Sequence, residues 1–240
     1  MNTIKIDKQG IQVIAHRGVS GLETENTLAA FIAAGNRSYW GIETDVHVTA
    51  DGKLIAIHDS NTSRVANGEM IVEESSFEEL RALRVKDRYH NDELRGDLCL
   101  PSLEEYIRIC KKYEKVAVLE LKEAFSVEDV KKVIEAFREA DYLDHVVFIS
   151  FCLQNLIYLK ELLPDCRAQY IMKRITEVEF EALKKYRLDL DMDCRTLTKE
   201  WLDRVHGEGL AVNSWTVNDP EVAERLISWG IDQITTNILE

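Results

Sequence analysis

Glu43 and Asp45 lie two residues apart in the run Gly41-Ile42-Glu43-Thr44-Asp45-Val46-His47. In a strand, alternate side chains share a face, so these two carboxylates point the same way from backbone positions about 7 Å apart. Two acids so placed repel each other unless a cation lies between them. Glu120, in Leu119-Glu120-Leu121-Lys122, offers a third oxygen donor. An all-carboxylate set suits a hard divalent cation, Mg²⁺ or Ca²⁺. His16 and His58 each close a strand-like run. Imidazole is the side chain best poised to move protons near neutrality, so the pair could supply a base and an acid. Arg17 and Lys122 add positive charge, and a guanidinium can hold two oxygens of a phosphate in a fork. The chemistry these types permit is cation-assisted hydrolysis of a phosphate ester.

Other residues are weaker candidates. Phe151 and Trp215 end two strand-like runs and read either as an apolar wall or as core. Asn26 reads either as a ligand contact or as a helix cap. His47, His90, His145 and His206 read as surface or supporting positions.

These groups must be brought together by the elements that carry them. Strand-like runs fall at 12–15, 41–46, 115–121, 145–151, 166–172, 187–192, 209–215 and 232–236. Most are continuous Val, Ile and Leu, as expected of parallel strands covered on both faces. Amphipathic segments at 27–36, 102–112, 126–139, 153–163, 176–185, 198–208 and 220–229 alternate with them. Eight such units in 240 residues fit an α/β fold of the (β/α)₈ TIM-barrel type, with one domain over 1–240. The candidate residues then sit at the carboxyl ends of strands, where barrel enzymes place their chemistry.

One segment breaks the alternation. Only Thr49-Ala50-Asp51-Gly52-Lys53 separates the run through His47 from Leu54–His58, too few residues for a parallel crossover. The sequence therefore predicts an antiparallel hairpin over 46–58, with Asp51-Gly52 as its turn, returning His58 to the neighbourhood of Asp45. Residues from about 60 to 100 are polar and irregular, and read as an insertion or lid beside the site.

Composition bounds the partners. The formal net charge of −13 disfavours nucleic acid and anionic membrane surfaces. Five cysteines, an odd number without C-x-x-C spacing, read as reduced thiols. With no apolar leader and no run long enough to span a membrane, the expected location is the cytoplasm, without stable membrane insertion.

Taken together, the motifs AHRG, ENT, GIETDVHVTADGKLIAIHD, LELK, SF, SWTVND and ITTN resemble the glycerophosphodiester phosphodiesterase family across nearly the whole chain. The resemblance implies a barrel of the phosphatidylinositol-phospholipase-C-like kind. It implies a divalent cation on Glu43, Asp45 and Glu120, with His16 and His58 as the acid–base pair. Arg17 and Lys122 would lie on the phosphate, with Phe151 and Trp215 near the substrate. The substrate would be a small glycerophosphodiester, and the products glycerol 3-phosphate and an alcohol. Thr24 stands where many members carry Pro, and Thr235-Thr236-Asn237 where many carry Thr-Asp; neither departure is expected to touch the cation ligands. Two rival readings are a lysophospholipase D-like relative, which needs an apolar channel, and a non-catalytic barrel that binds phosphate compounds.

Overall fold

The computed structural model describes residues 2–240. The chain opens with β1 (Gln12–Ala15), α1 (Leu28–Gly35), β2 (Gly41–Val48) and β3 (Leu54–Ala56). A segment with α2 (Phe77–Ala82), β4 (Lys86–Asp87) and β5 (Glu93–Leu94) follows. Alternation then resumes with α3 (Leu103–Lys112), β6 (Val116–Leu121), α4 (Val127–Glu139), β7 (Val146–Ser150), α5 (Leu153–Leu162) and β8 (Arg167–Met172). It ends with α6 (Glu177–Tyr186), β9 (Asp189–Asp193), α7 (Lys199–Gly207), β10 (Val212–Trp215), α8 (Pro220–Ser228) and β11 (Gln233–Thr236).

The parallel strands run in the order β1-β2-β6-β7-β8-β9-β10-β11, and β11 pairs back to β1, so the sheet closes as an eight-stranded barrel. The helices start where local chemistry places them. Ser102 and Thr176 form capping boxes with Glu105 and Glu179, and Asp219 caps α8 ahead of Pro220. The strands of 187–192 and 209–215 begin later than the sequence suggested. Arg187 (φ 53°) ends α6 in a left-handed turn, and Gly209 (φ 70°) turns the chain after α7, so neither stretch is extended from its first residue.

Two apolar layers hold the barrel. Ile14, Val118, Val147, Ile149 and Ile171 fill its interior, and a larger shell packs the strands against the helices. A third cluster lies apart from both. Ile55, Ile57, Val65, Val72, Leu80, Val85, Leu98 and Leu100 bury one another beneath the segment that follows β3. This corrects the reading of 60–100 as irregular: the stretch is a packed unit with its own helix, its own short hairpin and its own apolar centre.

The glycine of the first motif has a steric reason. Gly18 adopts φ +75°, and a Cβ there would lie 2.6 Å from the Ala30 carbonyl carbon. Gly18→Ala should cost about 2–4 kcal/mol through backbone strain and overpacking, read as a fall in the urea midpoint. An unchanged midpoint would remove this account of the motif.

Candidate active site

The site is assembled from strand ends and the loops that follow them. His16 leaves β1, Glu43 and Asp45 lie in β2, and Glu120 lies in β6 with Lys122 just beyond it. Asp45 pairs directly with Glu120 in the parallel register, which places the two acids side by side. The hairpin forms as expected, with Val46 opposite Ala56 and Val48 opposite Leu54, and the Ile57 N–H donates to the Asp45 carbonyl at 3.1 Å. His58 therefore reaches the same pocket as His16, Glu43 and Glu120, with Phe151 and Trp215 on its wall. The two aromatic rings meet edge to face at 5.6 Å and 85°, and Phe151 is 40% exposed, so Phe151 belongs to the rim and not to the core.

Glu43, Asp45 and Glu120 are all buried, and one oxygen of each lies within 4.8 Å of the others. The electrostatics show the strain of that crowding. Burial and the charges of Asp45 and Glu120 push the Glu43 carboxyl well above the usual range. Burial and the charge of Asp45 push Glu120 up to about 8. Asp45 alone stays well below the usual range: burial opposes this, but Arg17 and Lys122 outweigh it. Lys122 Nζ stands 2.8 Å from Glu120 and 3.3 Å from Asp45, and Arg17 Nε stands 3.4 Å from Asp45. A set of buried oxygen donors that cannot all stay ionised suits a hard cation.

The two histidines differ in their partners. His16 Nδ1 donates to Asn237 Oδ1 at 2.6 Å, a neutral amide that also accepts from Ser20 Oγ at 3.0 Å. Burial, reinforced by the Arg17 charge, lowers His16 to about 4. His58 Nδ1 lies 2.6 Å from the Asp59 carboxylate, which Arg64 Nε also holds at 2.6 Å. Burial lowers His58 as well, against the pull of Asp45.

Several positions carry more than the sequence indicated. Asn237 does not touch the three acids, but it orients His16, so the departure at the last strand bears on the site. Asn26 neither caps the helix nor stands free for a ligand. Thr27 caps α1, while Asn26 donates to Asp45 Oδ2 at 2.8 Å and accepts from Thr44. His47 is buried, not at the surface: Nδ1 lies 2.9 Å from Glu123, and Nε2 donates to the His58 carbonyl at 3.3 Å. His90 and His145 are exposed, and His206 is half-buried against Asp232 at 2.8 Å. Asp191, in β9, lines the pocket and was not a candidate, because the run Asp189-Leu190-Asp191-Met192-Asp193 gives no sign of which acid turns inward.

Glu25 ties the loops together. It bonds Arg17 Nη1 at 2.8 Å and both terminal nitrogens of Arg64 at 2.8 Å. Burial would raise its carboxyl, but the hydrogen bonds of Arg64 and the charge of Arg17 hold it down to about 2. A depressed folded value means that the stabilisation is complete above the ordinary glutamate range and is lost as pH falls toward about 2. In chelated buffer, the difference in urea midpoint between wild type and Arg64→Gln should therefore shrink from about pH 5 downward. A difference constant over that window would contradict the assigned ion pair.

A closed barrel with three crowded acids and two imidazoles at the carboxyl end of its strands defines a hydrolase-type site of the barrel enzymes. The profile of the glycerophosphoryl diester phosphodiesterase family matches residues 16–240. The chain belongs to that family of phosphoric diester hydrolases. It is 30% identical over 230 residues to a glycerophosphodiester phosphodiesterase of Caldanaerobacter subterraneus subsp. tengcongensis, covering 94% of this chain and 93% of that protein. Among solved structures it is similar to an Oleispira antarctica phosphodiesterase in complex with the product sn-glycerol-3-phosphate (TM-score 0.85, 25% identity, 97% of this chain and 95% of that one). It is also similar to a glycerophosphodiester phosphodiesterase of Parabacteroides distasonis (TM-score 0.77, 26% identity, 99% and 94%). Among the described residues, no helix is long and apolar enough to cross a membrane.

Proposed function

We propose that this chain hydrolyses small glycerophosphodiesters to sn-glycerol 3-phosphate and an alcohol, with one divalent cation held by Glu43, Asp45 and Glu120. The observation that carries the reading is the buried triad of carboxylate oxygens within 4.8 Å of one another, in a pocket that also receives two imidazoles. Mg²⁺ or Ca²⁺ bound there would supply Lewis acidity toward the phosphoryl oxygens.

The chain's own residues do the rest. Arg17 and Lys122 offset the negative charge of the diester. The Nδ1–H of His16 is committed to Asn237, so in the neutral ring Nε2 carries a lone pair. That makes His16 the base, taking the proton of the attacking oxygen as the new P–O bond forms. The attacking oxygen belongs to water, or to the substrate's own glycerol hydroxyl with water opening the cyclic phosphate afterwards. Both routes need the same base. Burial lowers His58 too, but its hydrogen bond to the Asp59 carboxylate, which His16 lacks, favours the protonated ring, so His58 is assigned as the acid that protonates the leaving alkoxide as the old P–O bond breaks. Phe151 and Trp215 lie beside the substrate on the pocket wall.

The whole chain acts as one barrel domain, with the packed segment at about 60–100 shaping the alcohol side. The five free cysteines suit the cytoplasm. A panel of glycerophosphodiesters incubated with Mg²⁺ or Ca²⁺, with release of sn-glycerol 3-phosphate followed, tests the reading. No turnover of any of them would refute it.

A further inference from the structure

A second group of donors converges outside the pocket. His47 Nδ1 lies 2.9 Å from Glu123 Oε2 and 4.0 Å from Glu73 Oε1, and one donor atom of each residue lies within 4.8 Å of the others. None of the three lines the pocket of His16, Glu43 and His58. His47 is in β2, Glu123 follows the end of β6, and Glu73 sits in a single turn of 3₁₀ helix at Val72–Glu74. The group therefore joins the barrel to the segment after β3, in whose apolar cluster Val72 is anchored.

Two of the donors are held in place. His47 is 3% exposed, and its Nε2 donates to the His58 carbonyl at 3.3 Å, so in the neutral ring Nδ1 carries a lone pair. Glu123 Oε1 accepts from the Val48 N–H at 2.7 Å, which turns Oε2 toward that lone pair. Both Nδ1 and Oε2 are buried, and among the described residues neither makes a hydrogen bond. Two buried acceptors facing each other are costly unless something positive lies between them. Among the described residues, His47 is the only basic partner of Glu73 and Glu123. A proton shared by His47 and Glu123 would leave Glu73 unused, whereas a cation uses all three. Histidines that ligate metals commonly donate their other ring nitrogen to a carbonyl, as His47 does.

One imidazole with two carboxylates is a softer set than the all-oxygen triad and suits Zn²⁺. Bonds of about 2.0–2.1 Å at tetrahedral angles put ligand atoms about 3.3 Å apart. The observed 2.9 and 4.0 Å lie either side of that spacing, and the half-exposed Glu73 side chain has room to close in. Water can take the fourth position.

We propose that His47, Glu73 and Glu123 bind a Zn²⁺ ion, separate from the catalytic cation, that fastens the segment after β3 to the barrel. The proposal does not depend on the catalytic reading.

The test is calorimetric titration of the metal-stripped full chain with Zn²⁺ in excess Mg²⁺. His47→Ala and Glu73→Gln should each weaken Zn²⁺ binding by at least the roughly 10- to 100-fold that loss of even an outer partner of a metal costs. Glu43→Gln should keep it. Zn²⁺ should also raise the urea midpoint of the wild type, and Glu73→Gln should lose that rise. No Zn²⁺ bound by the wild type would overturn the proposal and leave His47 and Glu123 as a plain ion pair. Binding unchanged in Glu73→Gln would place the ion elsewhere, on a cysteine thiol or the triad, and would overturn it as well. So would a loss in Glu43→Gln as large as in Glu73→Gln. If His47→Ala fails to fold, Glu73→Gln, at an exposed position, still decides.

Discussion

Chelation will abolish turnover of glycerophosphodiesters, and added Mg²⁺ or Ca²⁺ will restore it. Glu43, Asp45 and Glu120 crowd their oxygens within 4.8 Å in a buried place, and only Asp45 holds its charge easily without a cation. Glu43→Gln or Asp45→Asn should lower both cation affinity and rate, the rate by on the order of 10²–10³ or more, as when a transition-state charge partner is removed. The pH dependence of cation binding has a definite sign. Glu120 is pushed up to about 8 in the cation-free protein, so loading must displace a proton. Affinity should therefore rise as pH rises toward about 8, and each ion bound should release protons into weak buffer. Full activity in a chelated sample would end the cation reading. Proton-neutral binding would end the account of the triad's charge.

The second large effect concerns the histidines. His16→Ala and His58→Ala should each lower kcat by about 10²–10⁴, the usual worth of a positioned proton transfer, while cation affinity survives. The two losses should separate with a nitrophenol leaving group, which departs with little need of a proton. Such a substrate should partly rescue His58→Ala and not His16→Ala, because His58 faces Asp59 while His16 faces the neutral amide of Asn237. Equal rescue of both variants, or of neither, would defeat this division of labour and leave the cation argument untouched.

Much of this was legible in the chain because it follows from periodicity and from short-range geometry. Continuous Val and Ile runs mark covered parallel strands, and a five-residue link cannot make a parallel crossover, so the position of His58 beside Asp45 follows from counting. What escaped depends on contacts across long separations. Asn237 reaches His16 over 221 residues, and Arg64 reaches Glu25 over 39. Asp191 could not be separated from Asp189 and Asp193 by alternation, since all three share one parity. The segment at 60–100 looked irregular because its apolar centre draws on residues scattered between Ile55 and Leu100, with no single period.

The third apolar cluster has a mechanical consequence. Glu43, Asp45 and Glu120 ride on strands clamped by the barrel's own packing, whereas His58 directly follows Ile57, whose side chain is anchored in the separate cluster. The spacing between His58 and the carboxylate triad is thus set by how two separately packed clusters are registered against each other, across the short ladder of β2 and β3. On the proposed roles, loosening the smaller body would misalign proton transfer while sparing the ion's seat, so that alignment and ion binding would have separate tolerances within one pocket.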